Sequence, residues 1–361
     1  MKYLNLTTII KLLFFTALIF TALILGENFF KPIVIAMLLS MLFLPLCQRF
    51  EKWGLHRGLA AAICSLIILI VIATLVTVVV WQVSGISQDM ANVEQQIRTF
   101  INNARNFITE KLNFSREQQE ELIKKQSEGS GNVVKSILGS FSTLITSTIL
   151  VLIYNLLFLL LRSRFKRGII MLFEEKHKEE AKLVLKKIQK VSFQYLAGMM
   201  VMIVCLWILY SIAFSIIGVK HAIFFAVLSG TLEIIPFVGN ITGNTLTAVM
   251  ALVQGGGISM ALWVAGTYGA IQLLQNYLLQ PIIIGKAVNI NPFFIIATLI
   301  LGGFIWGIAG MAICIPITAI IKIICDHMEA LKPIGVMLGN GEEDNADTFV
   351  ERIKGFFKKN K

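Results

Sequence analysis

The sequence predicts an all-α polytopic membrane protein with six full spans, two re-entrant helical hairpins and an extracytoplasmic helical segment. Of its 361 residues, 56% are hydrophobic and only 15% are charged, and the mean hydropathy is +0.78. Soluble domains usually contain about 45–50% apolar and about 25% charged residues. The apolar residues form long runs rather than short alternating segments, which favours helices over a β-barrel. This composition excludes an ordinary soluble enzyme, a disordered chain and a nucleic-acid-binding module.

Six apolar runs are close to the length of one transmembrane helix, about 20 residues. They are 12–25, 32–47, 58–81, 142–161, 196–217 and 258–284. The first run lies beside Lys2 and Lys11 and has no small-x-small cleavage site after it. We therefore predict a retained signal-anchor rather than a cleaved signal peptide, and a first group of three transmembrane helices in residues 1–81.

The distribution of charge predicts the orientation. The net charge is +11, and residues 162–190 hold ten Lys or Arg against four Glu, a net of +6. Residues 48–57 are also basic, whereas residues 82–141 hold seven basic and seven acidic side chains. By the positive-inside rule the two basic loops and both termini are cytoplasmic, in a bacterial inner membrane. We interpret the basic loop as a topology signal that contacts membrane lipids, not nucleic acid.

Three polar segments flank the spans. The extracytoplasmic segment 82–141 opens with an apolar 4-3 repeat that predicts either subunit association or an intrachain helical hairpin. Its members are Ile86, Met90, Val93, Ile97, Phe100, Ala104 and Phe107. In the cytoplasmic segment 162–195, a charged amphipathic helix over 174–195 is predicted to lie on the membrane surface or against the bundle. Residues 326–361 form a cytoplasmic tail.

Residues 196–325 form a predicted transport unit, because they contain two apolar blocks that are too long for simple spans. Helices over 223–254 and 293–325 would measure about 48 and about 50 Å, against a hydrocarbon core of about 30 Å. The interruptions are Pro236, Gly239, Asn240 and Gly243 in the first block, and Gly302, Gly303, Gly307 and Gly310 in the second. Paired interruptions of this kind predict re-entrant hairpins in an inverted repeat. The alternative is two kinked full spans, eight in total, which places Lys286 on the opposite side.

Polar residues within these blocks are few. Glu233 is the only carboxylate there, and it acts either as a coupling or gating site or as a carboxylate at a wet hairpin turn. Tyr268, Gln272 and Asn276 recur every four residues, and Gln275 is adjacent to them. Such a stripe lines a polar cavity or joins helices by hydrogen bonds. A mostly neutral lining suits a small polar solute better than a divalent cation.

The sequence predicts no enzymatic activity and no cofactor. Its four histidines are isolated, and no His-Glu-x-x-His or Gly-Lys-Ser/Thr phosphate-binding motif occurs. The five cysteines have no close pairing and mostly lie in membrane runs, so we interpret them as small apolar residues. Neither a metal site nor direct use of ATP is therefore expected.

Three motifs resemble those of the autoinducer-2 exporter family of permease-like bacterial membrane proteins. The first is Glu233-Ile234-Ile235-Pro236-Phe237-Val238-Gly239, which carries the Pro-x-x-Gly signature. The second is Gln275-Asn276-Tyr277-Leu278-Leu279-Gln280-Pro281 with Gly285-Lys286 and Asn291-Pro292, and the third is Gly302-Gly303 through Gly307, Gly310 and Pro316. The resemblance covers nearly the whole chain. In this sequence Asn240 replaces a second Pro, and Gln275 lies near where many members carry an acidic residue.

The resemblance implies a transporter that forms homo-oligomers, pentamers among them. Some members resemble exporters of autoinducer-2, a quorum-sensing signal, and others resemble sodium (lithium)/proton antiporters. A non-transporting membrane scaffold or envelope factor is the alternative from another class. The candidate residues for substrate binding or coupling are Glu233, Pro236, Gly239, Asn240, Tyr268, Gln272, Gln275, Asn276, Gly303 and Gly307.

Overall fold

The computed structural model of the chain describes residues 6–88, 133–236, 238–285 and 288–340, which form helices joined by short turns. The helices are α1 (Leu6–Leu25), α2 (Glu27–Lys52), α3 (Arg57–Gln88), α4 (Val133–Met171), α5 (Lys178–Ile217), α6 (Ala222–Leu232), α7 (Val238–Ala251), α8 (Gly257–Leu274), α9 (Gln280–Ile283), α10 (Pro292–His327) and α11 (Lys332–Leu338). Two π-helical turns, Leu252–Gly256 and Gln275–Leu279, flank α8. The described residues contain no strand, and the all-α prediction is confirmed.

Within the described ranges, six helical stretches are long and apolar enough to cross a membrane. They are Glu27–Lys52, Arg57–Thr77, Ile145–Met171, Glu175–Ile217, Gly257–Ile283 and Pro292–His327. Leu13–Leu25 and Ala222–Leu232 are shorter apolar helices. These stretches confirm a multi-pass membrane protein, because the first five each reach or exceed the roughly 20 residues that span a hydrocarbon core. The sixth, Pro292–His327, is the second interrupted block.

Several predictions concern residues outside the described ranges. The apolar 4-3 repeat is one of them, because its members from Met90 to Phe107 lie outside the described residues. Subunit association and an intrachain helical hairpin therefore both stay predictions. The same holds for the tail beyond Asn340 and for Lys286, whose side of the membrane distinguishes hairpins from full spans.

The chain divides into two compact units. One comprises Met1–Gly58, Leu157–Gly198 and Ile284–Lys361, and the other comprises Leu59–Leu156 and Met199–Ile283. We call them the terminal unit and the central unit. Helix α5 belongs to both, because the predicted amphipathic helix and the span after it form one continuous helix of 40 residues.

In the terminal unit, the first half of α5 packs against the rest of the unit rather than standing free. Ile188 and Tyr195, on the predicted apolar face, are both buried. Of the two predicted locations for this face, the structure therefore supports the one against the bundle.

In the central unit, α6 and α7 form a helical hairpin. Helix α6 ends at Leu232 because Pro236 has no backbone N–H and disfavours helical backbone at the residue before it. A Cβ atom on Gly243 would lie 2.7 Å from Cα of Ser229, and one on Gly239 would overlap the Leu232 carbonyl oxygen. Residues 229 and 243 would be about 21 Å apart in a straight helix. The first interrupted block therefore folds back on itself, and we call it the first hairpin.

In the terminal unit, α10 also reverses direction. Its backbone leaves helical geometry at Trp306 and at Gly307, where φ is +58° and glycine is favoured. A Cβ atom on Gly302 would lie 2.6 Å from the Gly310 carbonyl oxygen, although eight helical residues span about 12 Å. We call α10 the second hairpin, with arms 292–305 and 308–327. Of the four glycines that interrupt this block, Gly302 and Gly310 make the close contact, whereas Gly303 and Gly307 do not.

Within the terminal unit, hydrogen bonds hold the second hairpin at its beginning and at its turn. At its beginning, Asn291 caps the helix by accepting a hydrogen bond from the Phe293 N–H at 3.0 Å. The Asn291 N–H in turn donates to the Leu338 carbonyl of α11 at 2.8 Å. At its turn, the buried Trp306 indole donates to the Leu23 carbonyl at the end of α1, at 2.9 Å. The indole therefore satisfies one of the carbonyls that a helix C-terminus leaves without an intrahelical partner.

Candidate functional site

The turn of the first hairpin carries a buried carboxylate. Glu233 directly follows α6, and only 8% of its surface is exposed. Gln275 Nε2, at the start of the π-helical turn after α8, donates a hydrogen bond to Glu233 Oε1 at 2.8 Å. The Asn240 amide also interacts with this carboxylate, and the Tyr210 and Tyr268 hydroxyls lie within electrostatic range of it. The predicted carboxylate is thus surrounded by neutral polar groups.

Asn240, in the first turns of α7, connects the hairpin with its neighbours. Its Nδ2 donates to Gln272 Oε1 of α8. Its Oδ1 accepts from Asn244 Nδ2 at 3.0 Å and from the Tyr210 hydroxyl of α5 at 3.5 Å. Asn240 is 2% exposed, so these contacts occur out of bulk water, where an unpaired amide is costly. The residue that replaces a proline of the resembled motif is therefore the centre of a hydrogen-bond network.

The polar stripe on α8 takes part in this network. Gln272 Nε2 donates to Asn276 Oδ1 at 3.2 Å, so Asn240, Gln272 and Asn276 form a continuous chain of amides. Asn276 is exposed at one end of the chain and Asn240 is buried at the other. The stripe joins helices by hydrogen bonds, which is one of the two interpretations open from the sequence. It also leads from an accessible amide to a buried one.

Gln275 approaches Glu233 because of its position on the helix. Residues three apart share a helix face, so Gln272 and Gln275 both face the first hairpin. The π-helical turn Gln275–Leu279 begins at this residue, and such turns are frequent at functional sites. The i, i+3 spacing of the two glutamines was a sequence signal for this contact.

Two aromatic residues of α5 belong to the site although the sequence analysis did not select them. Trp207 Nε1 donates to Thr231 Oγ1 of α6 at 3.1 Å, and Gly230 lies directly beneath the indole. Tyr210 is 1% exposed and stacks on Phe214, with ring centroids 5.3 Å apart. The sequence signal for these two residues was a Trp and a Tyr three residues apart in an apolar span. Aromatic residues that face lipid give the same pattern, so this signal does not identify a site.

The electrostatics of the site are unusual because its carboxylate has no cationic partner in the described part of the chain. Among the described residues, no Lys, Arg or His forms an ion pair with Glu233. Gln275 Oε1 is buried and accepts no hydrogen bond there. An ionised carboxylate out of water needs compensating charge or hydrogen bonds. The arrangement can therefore take up a proton, a small cation or the hydrogen-bond donors of a polar solute.

The predicted site residues fall in both units. The central unit contains Glu233, Pro236, Gly239, Asn240, Tyr268, Gln272, Gln275 and Asn276. Pro236 and Gly239 shape the turn, through the Val238 N–H to Pro236 carbonyl bond at 2.8 Å and the close approach of Gly239 to Leu232. Gly303 and Gly307 belong to the terminal unit, where Gly307 reverses the second hairpin. The described residues hold no group of three His, Cys, Asp or Glu that could bind a metal ion.

Known proteins similar to this chain are transport proteins by name. The AI-2 transport protein TqsA of Escherichia coli is 22% identical over 310 residues, covering 86% of this chain and 89% of TqsA. A candidate transport protein of Borreliella burgdorferi is 24% identical over 323 residues, which cover 88% of this chain and 86% of that protein. The candidate transport protein YrrI of Bacillus subtilis is 22% identical over 312 residues, covering 83% and 87%.

A family model covers most of the chain. The model of the AI-2E family transporters matches residues 13–330, which include both hairpins and all ten predicted site residues. Together with the transport proteins to which the chain is similar, this match supports a role in transport. The chain belongs to the AI-2E transporter family.

Proposed function

We propose that this protein is a secondary transporter that exports a small polar metabolite, with its binding site at the turn of the first hairpin. The observation that carries the proposal is the buried network of Glu233, Gln275, Asn240 and Gln272. A helical hairpin that opens its backbone within an apolar region and carries polar side chains there is typical of transporter sites. Such irregular backbone is tolerated at membrane depth only where it faces protein or water.

The membrane arrangement is part of the proposal. Both hairpins are re-entrant, and the protein lies in the bacterial inner membrane with both termini in the cytoplasm. The positive charge of residues 48–57 and 162–190 supports this orientation. The reversals at Gly239 and Gly307 support re-entry. The protein is also expected to form a homo-oligomer, as the family resemblance implies.

The chemistry of the network favours a neutral solute rich in hydroxyl or carbonyl groups. Its amides offer both donors and acceptors, and Glu233 is its only formal charge. Autoinducer-2 is a small polar metabolite of this class, and TqsA is named as a transporter of it. We therefore propose autoinducer-2 as the first substrate to test.

Solute uptake into everted membrane vesicles tests the site. The double variant Gln272→Ala with Asn276→Ala removes the accessible part of the amide chain. Two lost hydrogen bonds of about 1 kcal/mol each should lower uptake at limiting solute about 30-fold. The matched control is Gln280→Ala, an exposed amide on the same side of the helix outside the network. Unchanged uptake by the double variant, at equal expression, would remove the site from this stripe.

A second candidate function is a sodium (lithium)/proton antiporter that uses Glu233. Its support is a buried carboxylate that has no basic partner among the described residues, since one carboxylate can bind a proton and a monovalent cation in turn. The test is sodium- or lithium-driven proton flux in proteoliposomes. Glu233→Gln should abolish the flux, whereas Glu179→Gln, an exposed carboxylate on α5, should leave it unchanged. Full flux by Glu233→Gln would eliminate the antiporter.

The same two assays address the alternative of another class. A membrane scaffold or envelope factor would move neither autoinducer-2, nor other small polar solutes, nor cations in proteoliposomes with or without a pH gradient. Transport of any of these by the purified chain therefore excludes it.

A further inference from the structure

Three helix ends meet in the terminal unit at a surface that we call the basic corner, residues 49–57 and 162–167. Arg162 of α4 forms an ion pair with Glu51 in the last turn of α2. Arg57, at the start of α3, donates from Nη1 to Ser163 Oγ of α4 at 3.3 Å. Gly54, with φ of +95°, forms the tight turn between α2 and α3. These contacts fix the position of the corner relative to the end of α4.

Five cations of the basic corner have no partner among the residues that the structure describes. Glu51 is its only carboxylate, and that group is occupied by Arg162. No ion pair or side-chain hydrogen bond to another described residue engages Arg49, Lys52, Arg164, Lys166 or Arg167. All five are exposed. Five like charges held close together repel one another unless an external anion compensates them.

The segment that follows the basic corner, residues 174–182, is different. In residues 174–182 each of three lysines pairs with a glutamate of the same segment. The pairs are Lys176 with Glu174, Lys178 with Glu175, and Lys182 with Glu179. Within residues 162–182 the excess of positive charge therefore lies at the basic corner, and the start of α5 up to Lys182 is locally neutralised.

Large apolar side chains accompany the unpaired cations. Trp53, in the α2–α3 turn, is 74% exposed, and Phe165, between Arg164 and Lys166, is 48% exposed. Leu172, just beyond the end of α4, is 84% exposed. Trp53 follows the apolar run of α2, and Phe165 and Leu172 follow that of α4, which places all three at the membrane surface. Aromatic and aliphatic side chains alternating with Lys and Arg at this level are typical of segments that lie among lipid headgroups.

We propose that the basic corner is a binding site for the phosphate headgroups of anionic phospholipids. Arg49, Lys52, Arg164, Lys166 and Arg167 contact the phosphates, while Trp53 and Phe165 insert between the headgroups. Charge complementarity identifies this occupant, because cytoplasmic leaflets carry anionic lipid and attract basic clusters next to a span. The bound lipid would fix the ends of α2, α3 and α4 against the membrane surface. The proposal does not depend on the transported solute.

Lipid binding to the purified full-length protein in detergent tests the site. Fluorescent phosphatidylglycerol should bind at least tenfold more tightly than fluorescent phosphatidylcholine. The triple variant Arg164→Gln, Lys166→Gln, Arg167→Gln should lose at least tenfold in affinity for phosphatidylglycerol. The matched control Lys176→Gln, Lys178→Gln, Lys182→Gln removes the same charge from the paired segment and should change the affinity less than twofold. Equal losses in the two triple variants would overturn the proposal.

A second experiment measures lipid contact at Trp53 and leaves the basic residues of the corner unchanged. In nanodiscs of mixed composition, brominated phosphatidylglycerol should quench the Trp53 emission, measured as the difference between the protein and Trp53→Phe. Brominated phosphatidylcholine at the same fraction should quench it much less, and equal quenching by both lipids would contradict a site for anionic lipid. Millimolar inorganic phosphate should not displace the fluorescent lipid. Displacement by phosphate alone would assign the corner to a free anion and overturn the lipid assignment.

Discussion

The two hairpins use the same backbone device but carry different side chains. In the first, Gly239 and Gly243 let α6 and α7 approach each other. In the second, Gly302 and Gly310 bring the arms of α10 equally close. The turn of the first presents Glu233 and buried amides, whereas the turn of the second presents Trp306, whose indole binds a backbone carbonyl of α1.

From the sequence pattern alone the two hairpins look equivalent, but their side chains indicate different roles. Both interruptions follow the same rule, since small residues permit close backbone contact and irregular turns in apolar surroundings. Only the first hairpin places ionisable and amide groups at its turn, and it connects them to two other helices. We infer that the first hairpin binds the transported solute and that the second is held in place by structural contacts.

The largest expected effect on stability comes from the close backbone contacts that both hairpins share. Gly239→Ala places a methyl group on the Leu232 carbonyl, and Gly310→Ala places one on the Gly302 carbonyl. Each should lower the free energy of unfolding by about 3 kcal/mol, at the upper end of overpacking effects, since backbone cannot move aside as a side chain can. Thermal unfolding followed by fluorescence-detected size exclusion in detergent measures this.

The control for these variants is Gly266→Ala on α8, where no atom lies within 4 Å of the added methyl group. An exposed helical Gly→Ala change should be neutral or stabilise by up to about 1 kcal/mol. If Gly239→Ala or Gly310→Ala were as stable as this control, the close contact in that hairpin would not exist.

The next largest effect is expected at Asn240, and it tests whether only the first hairpin takes part in solute binding. Asn240→Ala removes an amide that contacts Gln272, Tyr210 and Asn244 and leaves these partners buried, so stability should fall by about 1–3 kcal/mol. Solute uptake should fall further than stability alone explains. The matched control is Asn289→Ala, near the second hairpin, where one backbone hydrogen bond of 3.3 Å to Asn340 is lost. Equal uptake by the two variants would contradict the special role of the first hairpin.

The features of the fold and of the site that could be predicted from the sequence are those that depend on residues close together in the chain. The interruption at Pro236 and the position of Glu233 as the only carboxylate within the two apolar blocks follow from neighbouring residues and were predictable. The close pair Gly302 and Gly310 was not, because four glycines in nine residues leave several equivalent pairings. The contact of Gln275 with Glu233 joins residues 42 positions apart and depends on helix rotation. Trp207 and Tyr210 were missed because an aromatic residue in a span looks the same whether it faces lipid or protein.

The smallest expected effects come from the two indoles. Trp207→Phe and Trp306→Phe each remove one hydrogen bond, to Thr231 Oγ1 and to the Leu23 carbonyl respectively. Each should lower stability by about 0.5–1.5 kcal/mol, measured by thermal unfolding. Uptake should decrease in Trp207→Phe, which adjoins the network, and remain near wild type in Trp306→Phe. The reverse order of uptake would exchange the roles assigned to the two hairpins.

Hydrogen exchange with and without solute tests the central claim most directly. Purified protein in nanodiscs is compared in saturating autoinducer-2, or in another solute that the protein is found to transport, and in its absence. We expect slower exchange of backbone amides in residues 229–244, around Glu233 and Asn240, with little change in residues 300–312. Protection confined to residues 300–312 would contradict it.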